Sequence, residues 1–310
     1  MNAISIKALT KTYRSGFIPR RRTVLHGIDI EVAGGEVFGF LGPNGAGKTT
    51  TIKAIVGLLQ PTSGEIEIFG ERAGTIAAKR RIGYLPENPY LCQFLRGREL
   101  LEYHADLCAV PRDDSRVRIP EILRQVGLEP ASPLPIRKYS KGMVQRLGLA
   151  QAMINDPELL ILDEPLSGLD PIGRKEFRDI ILGLRDRGKT VFFSSHILQD
   201  AEMICDRVAI VVGGIVRRIG SLEELATGDI MGYEVELSGC DRSRLADLGQ
   251  IVVAQTHTVL LRVEGAEELE RVVSEIRARG GRLVSVVPLR RTLEDVFMSE
   301  IRYQQAGGSS

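Results

Sequence analysis

The chain has 310 residues, with 41 Lys and Arg against 40 Asp and Glu and a formal net charge of +1, a balance that argues against wrapping nucleic acid over the whole surface, because such binding needs many surplus cations. Hydrophobic residues are 43% and charged residues 26%, which excludes wholesale disorder, and no apolar run approaches the roughly 20 residues that span a bilayer. The start, MNAISIKALTKTY, lacks a basic head followed by an apolar stretch, and Cys92, Cys108, Cys205 and Cys240 are scattered, so a soluble chain in a reducing cytosol is expected.

In chain order, Ile4 to Leu9 and Ile28 to Val32 read as strands, and Arg20-Arg21-Arg22 between them as a solvated hairpin tip. Val37 to Leu41 is continuously apolar, as expected of a strand buried on both faces. A glycine loop follows, then a helix with Ile52, Ile55, Val56 and Leu59 on one face. The turn Pro61-Thr62-Ser63-Gly64 leads to a strand over Glu65 to Phe69, and residues 93 to 128 read as mostly helical. Leu159 to Leu162 and Thr190 to Phe193 are further buried strands. Strands alternating with helices predict an α/β sheet with an antiparallel portion near the start.

The pattern changes after about Gly220. Strands are expected over Tyr233 to Ser238, Gln250 to Gln255, Thr258 to Val263 and Arg282 to Val287. Helices are expected over Asp241 to Leu248 and Glu267 to Ala278, where Leu269, Val272, Val273 and Ile276 share a face. That β-α-β-β-α-β order is the ferredoxin-like one. Leu293 to Ile301 reads as a closing helix, and residues 306–310 as a loose tail. The expected organisation is a domain over 1–220, with a helical subdomain over about 90–155, and an α+β domain over 221–305.

Gly42-Pro43-Asn44-Gly45-Ala46-Gly47-Lys48-Thr49 fits G-x-x-x-x-G-K-[ST]. The glycines let successive backbone N–H groups turn toward phosphate oxygens. Lys48 can reach the β- and γ-phosphates and the Thr49 hydroxyl can bind Mg²⁺. A buried strand before the loop and an amphipathic helix after it supply the required context, and the helix adds its positive amino end. A plain glycine turn is the alternative. This motif says nucleotide phosphate and no more.

Leu159-Leu160-Ile161-Leu162-Asp163-Glu164 is an apolar strand ending in two acids. Ligands of open α/β sheets sit at such carboxyl ends. Asp163 can hold Mg²⁺ there, and Glu164 can accept a proton from water attacking a γ-phosphate; an ordinary loop start is the alternative.

With these residues in place the sequence resembles the ATP-binding subunit of ABC transporters, over about residues 3 to 220. Tyr139-Ser140-Lys141-Gly142-Met143-Val144-Gln145-Arg146 is similar to that family's signature segment, Ser167-Gly168-Leu169-Asp170 to its D-loop, and Ser194-Ser195-His196 to its switch histidine. Tyr13 matches the aromatic that stacks on adenine, and Tyr84-Leu85-Pro86-Glu87 falls at the Q-loop. The usual signature is Leu-Ser-Gly-Gly-Gln, so Ser140 and Gly142 are retained while Lys141 and Met143 depart. Glu87 in place of glutamine, the Lys-Gly-Met signature and Leu293-Glu294-Asp295-Val296-Phe297 resemble the ATPases of ABC-2-type exporters.

The resemblance implies a P-loop ATPase with Mg²⁺ at Thr49, Glu87 and Asp163. It assigns Glu164, His196, Lys48 and Glu87 to hydrolysis, and residues 42–49, Thr50 and Tyr13 to nucleotide binding. Ser140, Gly142 and Asp170 are then contributed to a composite site between two head-to-tail subunits, a homodimer. A separate integral membrane permease is the implied partner, received near Gln93 to Leu128. A peripheral place on the cytoplasmic face of the membrane follows, and no nucleic acid is expected. The competing classes are a soluble ABC ATPase acting on DNA or the ribosome, and an import ATPase. No heptads or cysteine pairs interrupt the stretch between Lys48 and Ser140, as coiled-coil or zinc insertions would.

Overall fold

The computed structural model describes residues 1–15, 20–225, 230–239, 249–254, 258–290 and 292–307. The chain divides into two compact units, Met1–Leu222 with Ser299–Ser310, and Glu223–Met298.

The strands of the first unit are β1 (Asn2–Ser15), β2 (Arg20–Ala33), β3 (Val37–Leu41), β4 (Ser63–Ile68), β5 (Glu71–Arg72), β6 (Ile82–Leu85), β7 (Leu159–Leu162), β8 (Thr190–Ser195), β9 (Arg207–Val212) and β10 (Ile215–Ser221). Its helices are α1 (Lys48–Ile55), α2 (Ile76–Arg80), α3 (Gly97–Leu107), α4 (Arg112–Gln125), α5 (Lys141–Ala152), α6 (Pro171–Asp186) and α7 (Leu198–Ile204). One sheet has the order β2-β1-β4-β5 and is antiparallel. The other runs β10-β9-β3-β8-β7-β6, parallel except at its β10 edge.

The apolar runs of β3 and β7 are buried at every position, because both faces of a parallel sheet are covered. Ile4, Ile6, Leu25, Ile28 and Ile30 of the antiparallel sheet share one core with Ile52 and Ile55 of α1 and with Phe38, Phe40 and Phe192 of the parallel sheet. Phe192 stacks on Phe38 with centroids 5.7 Å apart and tilts against Phe40 at 5.5 Å. These rings pack across β3 and β8, the paired strands whose carboxyl ends lead into the phosphate loop and His196. On α6, Phe177, Ile181 and Leu184 form the buried stripe that the 3.6-residue period demands.

A short helix α8 (Leu222–Leu225) precedes the second unit's β11 (Ile230–Ser238), β12 (Gln250–Ala254), β13 (Thr258–Val263), α9 (Ala266–Ala278) and β14 (Arg282–Arg290); α10 (Leu293–Gly307) begins in the second unit and belongs to the first from Ser299 on. The sheet order is β12-β13-β11-β14, antiparallel throughout, which is the ferredoxin-like arrangement. Val272 and Ile276 of α9 pack on Val235, Leu237, Val259, Leu261 and Val263.

Several expectations need adjusting. Arg20, Arg21 and Arg22 are not a hairpin tip; they lie on β2, paired with Ser15, Arg14 and Tyr13. The hydrophobic signal ended at Leu9 and began again at Ile28, but backbone pairing carries both strands beyond it. Strand β6 over Ile82–Leu85 escaped a reading by periodicity, because four residues are too few to show one. Helix α10 runs through Ala306 and Gly307, expected as tail. The helix expected at 241–248 lies outside the described residues.

Candidate functional site

The loop after β3 is held by backbone bonds to the end of β8 and to the turn after β9. Gly42 N donates to Ser195 O at 3.2 Å, and Gly214 N to Ala46 O at 3.0 Å. Two glycines are obligatory for steric reasons. A Cβ on Gly42 would collide with the Val211 carbonyl, and Gly47 has φ +103° with Leu25 Cδ2 2.6 Å from where its Cβ would stand. The left-handed Gly47 sits directly before Lys48, the first residue of α1, so the loop's N–H groups and the helix's amino end converge on one space.

Lys48 is 6% exposed. Its ammonium donates to Gly42 O at 2.6 Å and Pro43 O at 3.3 Å, and forms an ion pair with Glu164 Oε1 at 3.1 Å. The other oxygen of Glu164 lies 2.8 Å from His196 Nδ1. Glu164 has φ +48°, a left-handed conformation that costs a non-glycine residue about 1–3 kcal/mol and persists only where neighbours impose it. Here the imposing contact is Glu164 N donating to Ser194 Oγ at 2.9 Å. The same hydroxyl donates to Asp163 Oδ1 at 2.7 Å. Ser194 therefore clips both acids at the end of β7 to the end of β8.

Asp163 also accepts from Thr49 Oγ1 at 3.4 Å. Burial pushes its carboxyl above the ordinary value, against the bonds from Ser194 and Thr49; the Glu164 charge adds to the rise and Lys48 opposes it. Nearby Tyr84 is pushed up to about 12, by burial first and by the Asp163 charge second. Among the described residues no cluster of three or more His, Cys, Asp or Glu side chains has metal-binding geometry. Thr49 and Asp163 supply hydroxyl and carboxylate oxygens converging on one point. That donor set suits Mg²⁺, which takes one or two protein oxygens and completes its shell with phosphates and water.

These groups open into a cleft of about 720 Å³. Tyr13, Asn44, Gly45, Gly47, Lys48, Thr49, Thr50, Glu87, Glu164 and His196 line it, all of them residues that the sequence singled out. Gly42, Pro43 and Ala46 shape the loop behind it. Ser167, the first residue of the D-loop-like stretch, also lines the cleft, as do Arg22 and Val24, which were missed. Arg22 faces the site because it pairs with Tyr13 across the hairpin, a register that no local pattern reveals. The Tyr13 ring is partly exposed, with the Lys11 ammonium 5.2 Å from its centroid.

Ser140, Gly142 and Asp170 are elsewhere. With Lys141, Arg146 and Gly168 they border a second cleft of about 350 Å³. Ser140 is the N-cap of α5, its hydroxyl accepting from Met143 N at 3.3 Å. Asp170 is the N-cap of α6, its carboxylate accepting from Gly173 N at 2.8 Å. A Cβ on Gly142 would meet only Leu169 Cδ2, at 3.8 Å. No contact among the described residues therefore requires glycine at that position.

Comparison with known proteins agrees with this geometry. Residues 25–167 match the family model described as ABC transporter. An ABC transporter ATP-binding protein of Nostoc sp. is 44% identical over 303 residues, 96% of this chain and 89% of the relative. A fluoroquinolones export ATP-binding protein of Mycobacterium tuberculosis is 40% identical over 224 residues, covering 72% of each chain. Among solved structures, a dimeric ATP-binding cassette in a post-hydrolysis state with ADP and Pi superposes with a TM-score of 0.64 at 26% identity, covering 71% of this chain and 98% of that one.

Proposed function

The chain belongs to the ATP-binding proteins of ABC transporters, ATPases that drive transport, and from that premise we propose that it is the motor subunit of an export-type transporter working as a head-to-tail dimer. The observation that carries this reading is the separation of two half-sites. Lys48, Thr49, Asp163, Glu164 and His196 share one cleft, while Ser140 and Gly142 border another. Gly142 is free of any steric demand from its own chain, as expected if a partner's phosphate approaches its N–H. Export is supported by the likeness to the fluoroquinolone relative and by the Glu87 and Lys141-Gly142-Met143 departures.

In the proposed mechanism the triphosphate displaces the Lys48 ammonium from Glu164. Loop N–H groups and Lys48 then hold the β- and γ-phosphates, and Tyr13 stacks on the base. Thr49 and Asp163, with Glu87 in the same wall, would hold Mg²⁺, which supplies charge neutralisation for the phosphates. Glu164, released from Lys48, accepts the proton of the attacking water, and His196 keeps that carboxylate aimed. The partner's Ser140 hydroxyl and α5 amino end complete the γ-phosphate's surroundings, so ATP favours the closed dimer and hydrolysis removes the preference.

No helix of the described residues is long and apolar enough to cross a membrane, so the reading places the permease in another polypeptide and this chain on the membrane's cytoplasmic side. A groove of about 440 Å³ beside Tyr90, Leu91, Ile136, Tyr139 and Val144 is proposed to receive it. Tyr90 there is 98% exposed and nearby Phe94 81%, apolar surface that docking would cover. The domains proposed are an ATPase over 1–220 and an accessory domain over 221–305. The test is ATP turnover per subunit against protein concentration. Turnover should fall on dilution through the dimer constant; a rate independent of dilution defeats the composite site. Co-purification with a protein of several apolar spans tests the permease.

A further inference from the structure

Asp200, in the first turn of α7, is 2% exposed. A carboxylate buried so deeply must be paired, and Arg178 of α6 pairs it, Nη1 donating to Oδ1 at 2.9 Å. One guanidinium at hydrogen-bond distance suffices to balance the charge. A second forms an ion pair with the same carboxylate without a hydrogen bond. Arg174 Nη1 is 3.6 Å from Oδ2, and Oδ2 has no hydrogen-bond partner among the described residues. Two cations around one acid, with an acceptor left over, is a poor arrangement for stability alone, since buried ion pairs commonly lose to apolar packing.

The directed bond of Arg174 goes elsewhere. Its Nε donates to the Leu169 carbonyl at 3.2 Å, in the turn Ser167–Asp170 that ends in the α6 N-cap. Asp200 lies four residues after His196 and borders a narrow crevice with Glu164, Ser167 and His196. Arg174 is thus the side chain that touches both the turn carrying Ser167 and the helix following the histidine.

We infer that Arg174 is a positioning residue for hydrolysis, holding the Ser167–Asp170 turn and the His196 segment in one register through Leu169 and Asp200. The inference rests on the ATPase reading above, with Glu164 as base and His196 as its partner. A fixed register keeps the 2.8 Å contact between His196 and Glu164 when the triphosphate draws Lys48 away. Arg178 neutralises Asp200, and its directed bond goes to that carboxylate, whereas the directed bond of Arg174 goes to the turn.

The experiment compares Arg174→Met and Arg178→Met in the full chain, each retaining an unbranched stem, with Glu164→Gln as reference. Steady-state kcat and KM, binding of a fluorescent ATP analogue and the thermal midpoint are read for each. Arg174→Met should lower kcat about ten- to a hundredfold at unchanged KM and analogue affinity, with little change in midpoint. Arg178→Met, which removes the shorter bond, should lower the midpoint and leave kcat near native. Equal losses of kcat in the two variants, or a loss in Arg174→Met that tracks its midpoint, would overturn the inference. Native turnover in Glu164→Gln would instead overturn the catalytic reading on which it stands, so the two failures are told apart.

Discussion

Glu164 joins three signals that rarely meet in one side chain: burial, a left-handed backbone and simultaneous contact with Lys48 and His196. Strain of this kind is retained where geometry matters to function. Glu164→Gln keeps the shape but accepts no proton, so ATP should still bind while turnover falls about 10²–10⁴-fold, measured by phosphate release with nucleotide binding followed separately. His196→Ala should also lose turnover while binding ATP, because it removes the group that aims Glu164 and no contact to adenine. Glu87 carries a different expectation. A carboxylate offers acceptors and no donor where glutamine offers one of each, and it adds negative charge to a cleft already lined by Glu164, with Asp163 bonded to Thr49 of the same lining. Bound Mg²⁺ offsets that charge. ATP affinity should therefore depend more steeply on free Mg²⁺ in the native chain than in Glu87→Gln, and superimposable titrations would remove Glu87 from the metal's surroundings.

The elements that present these residues are tied together by side chains far from the cleft. Arg81, the C-cap of α2, grips Glu158 just before β7 through Nε to Oε1 at 2.6 Å and Nη2 to Oε2 at 2.7 Å. Its guanidinium also lies 4.0 Å from the Phe69 ring centroid, after β4. The bidentate bond from Arg81 holds the Glu158 carboxyl below its ordinary value of 4.5. A carboxyl whose pKa is depressed on folding contributes stability above its unfolded pKa and loses it as pH falls through the folded one. Native protein should therefore exceed Glu158→Gln in thermal midpoint at pH 7, and the gap should close below about pH 4. Because Glu158 is about half exposed, the gap should be small and shrink with salt. A gap that persists in acid would point to packing and not charge.

The whole molecule keeps the groups proposed to act in hydrolysis in one unit. Each cleft-lining residue and both N-caps of the second half-site precede Leu222, the last residue of the first unit before the chain enters the second. The second unit has its own sheet and its own core. A chain ending at Leu222 should accordingly bind ATP with native affinity, measured with a fluorescent analogue after circular dichroism has established folding. A folded truncation that no longer binds would show that the site needs the rest of the chain.

Much of the ATPase was legible locally. The 42–49 loop, the acids at 163–164 and His196 each follow a short apolar strand, and a strand buried on both faces announces itself by composition alone. The strands after residue 220 were readable from alternation instead, Val259, Leu261 and Val263 being the buried positions of β13; the helix expected at 241–248 lies outside the described residues. Tertiary structure alone decided which motifs meet. Asp163, Glu164 and Ser194 converge with Lys48 because β3, β8 and β7 are neighbours in the sheet, an order that depends on long-range pairing and leaves no trace in local pattern. Packing likewise leaves Ser140 and Gly142 at another cleft, while β1–β2 pairing brings Arg22 beside Tyr13 and the neighbouring α6 and α7 set Arg174 between Leu169 and Asp200. Sequence specified the chemistry of each segment through backbone preference and hydrophobic period; packing between distant segments determined which of them work together.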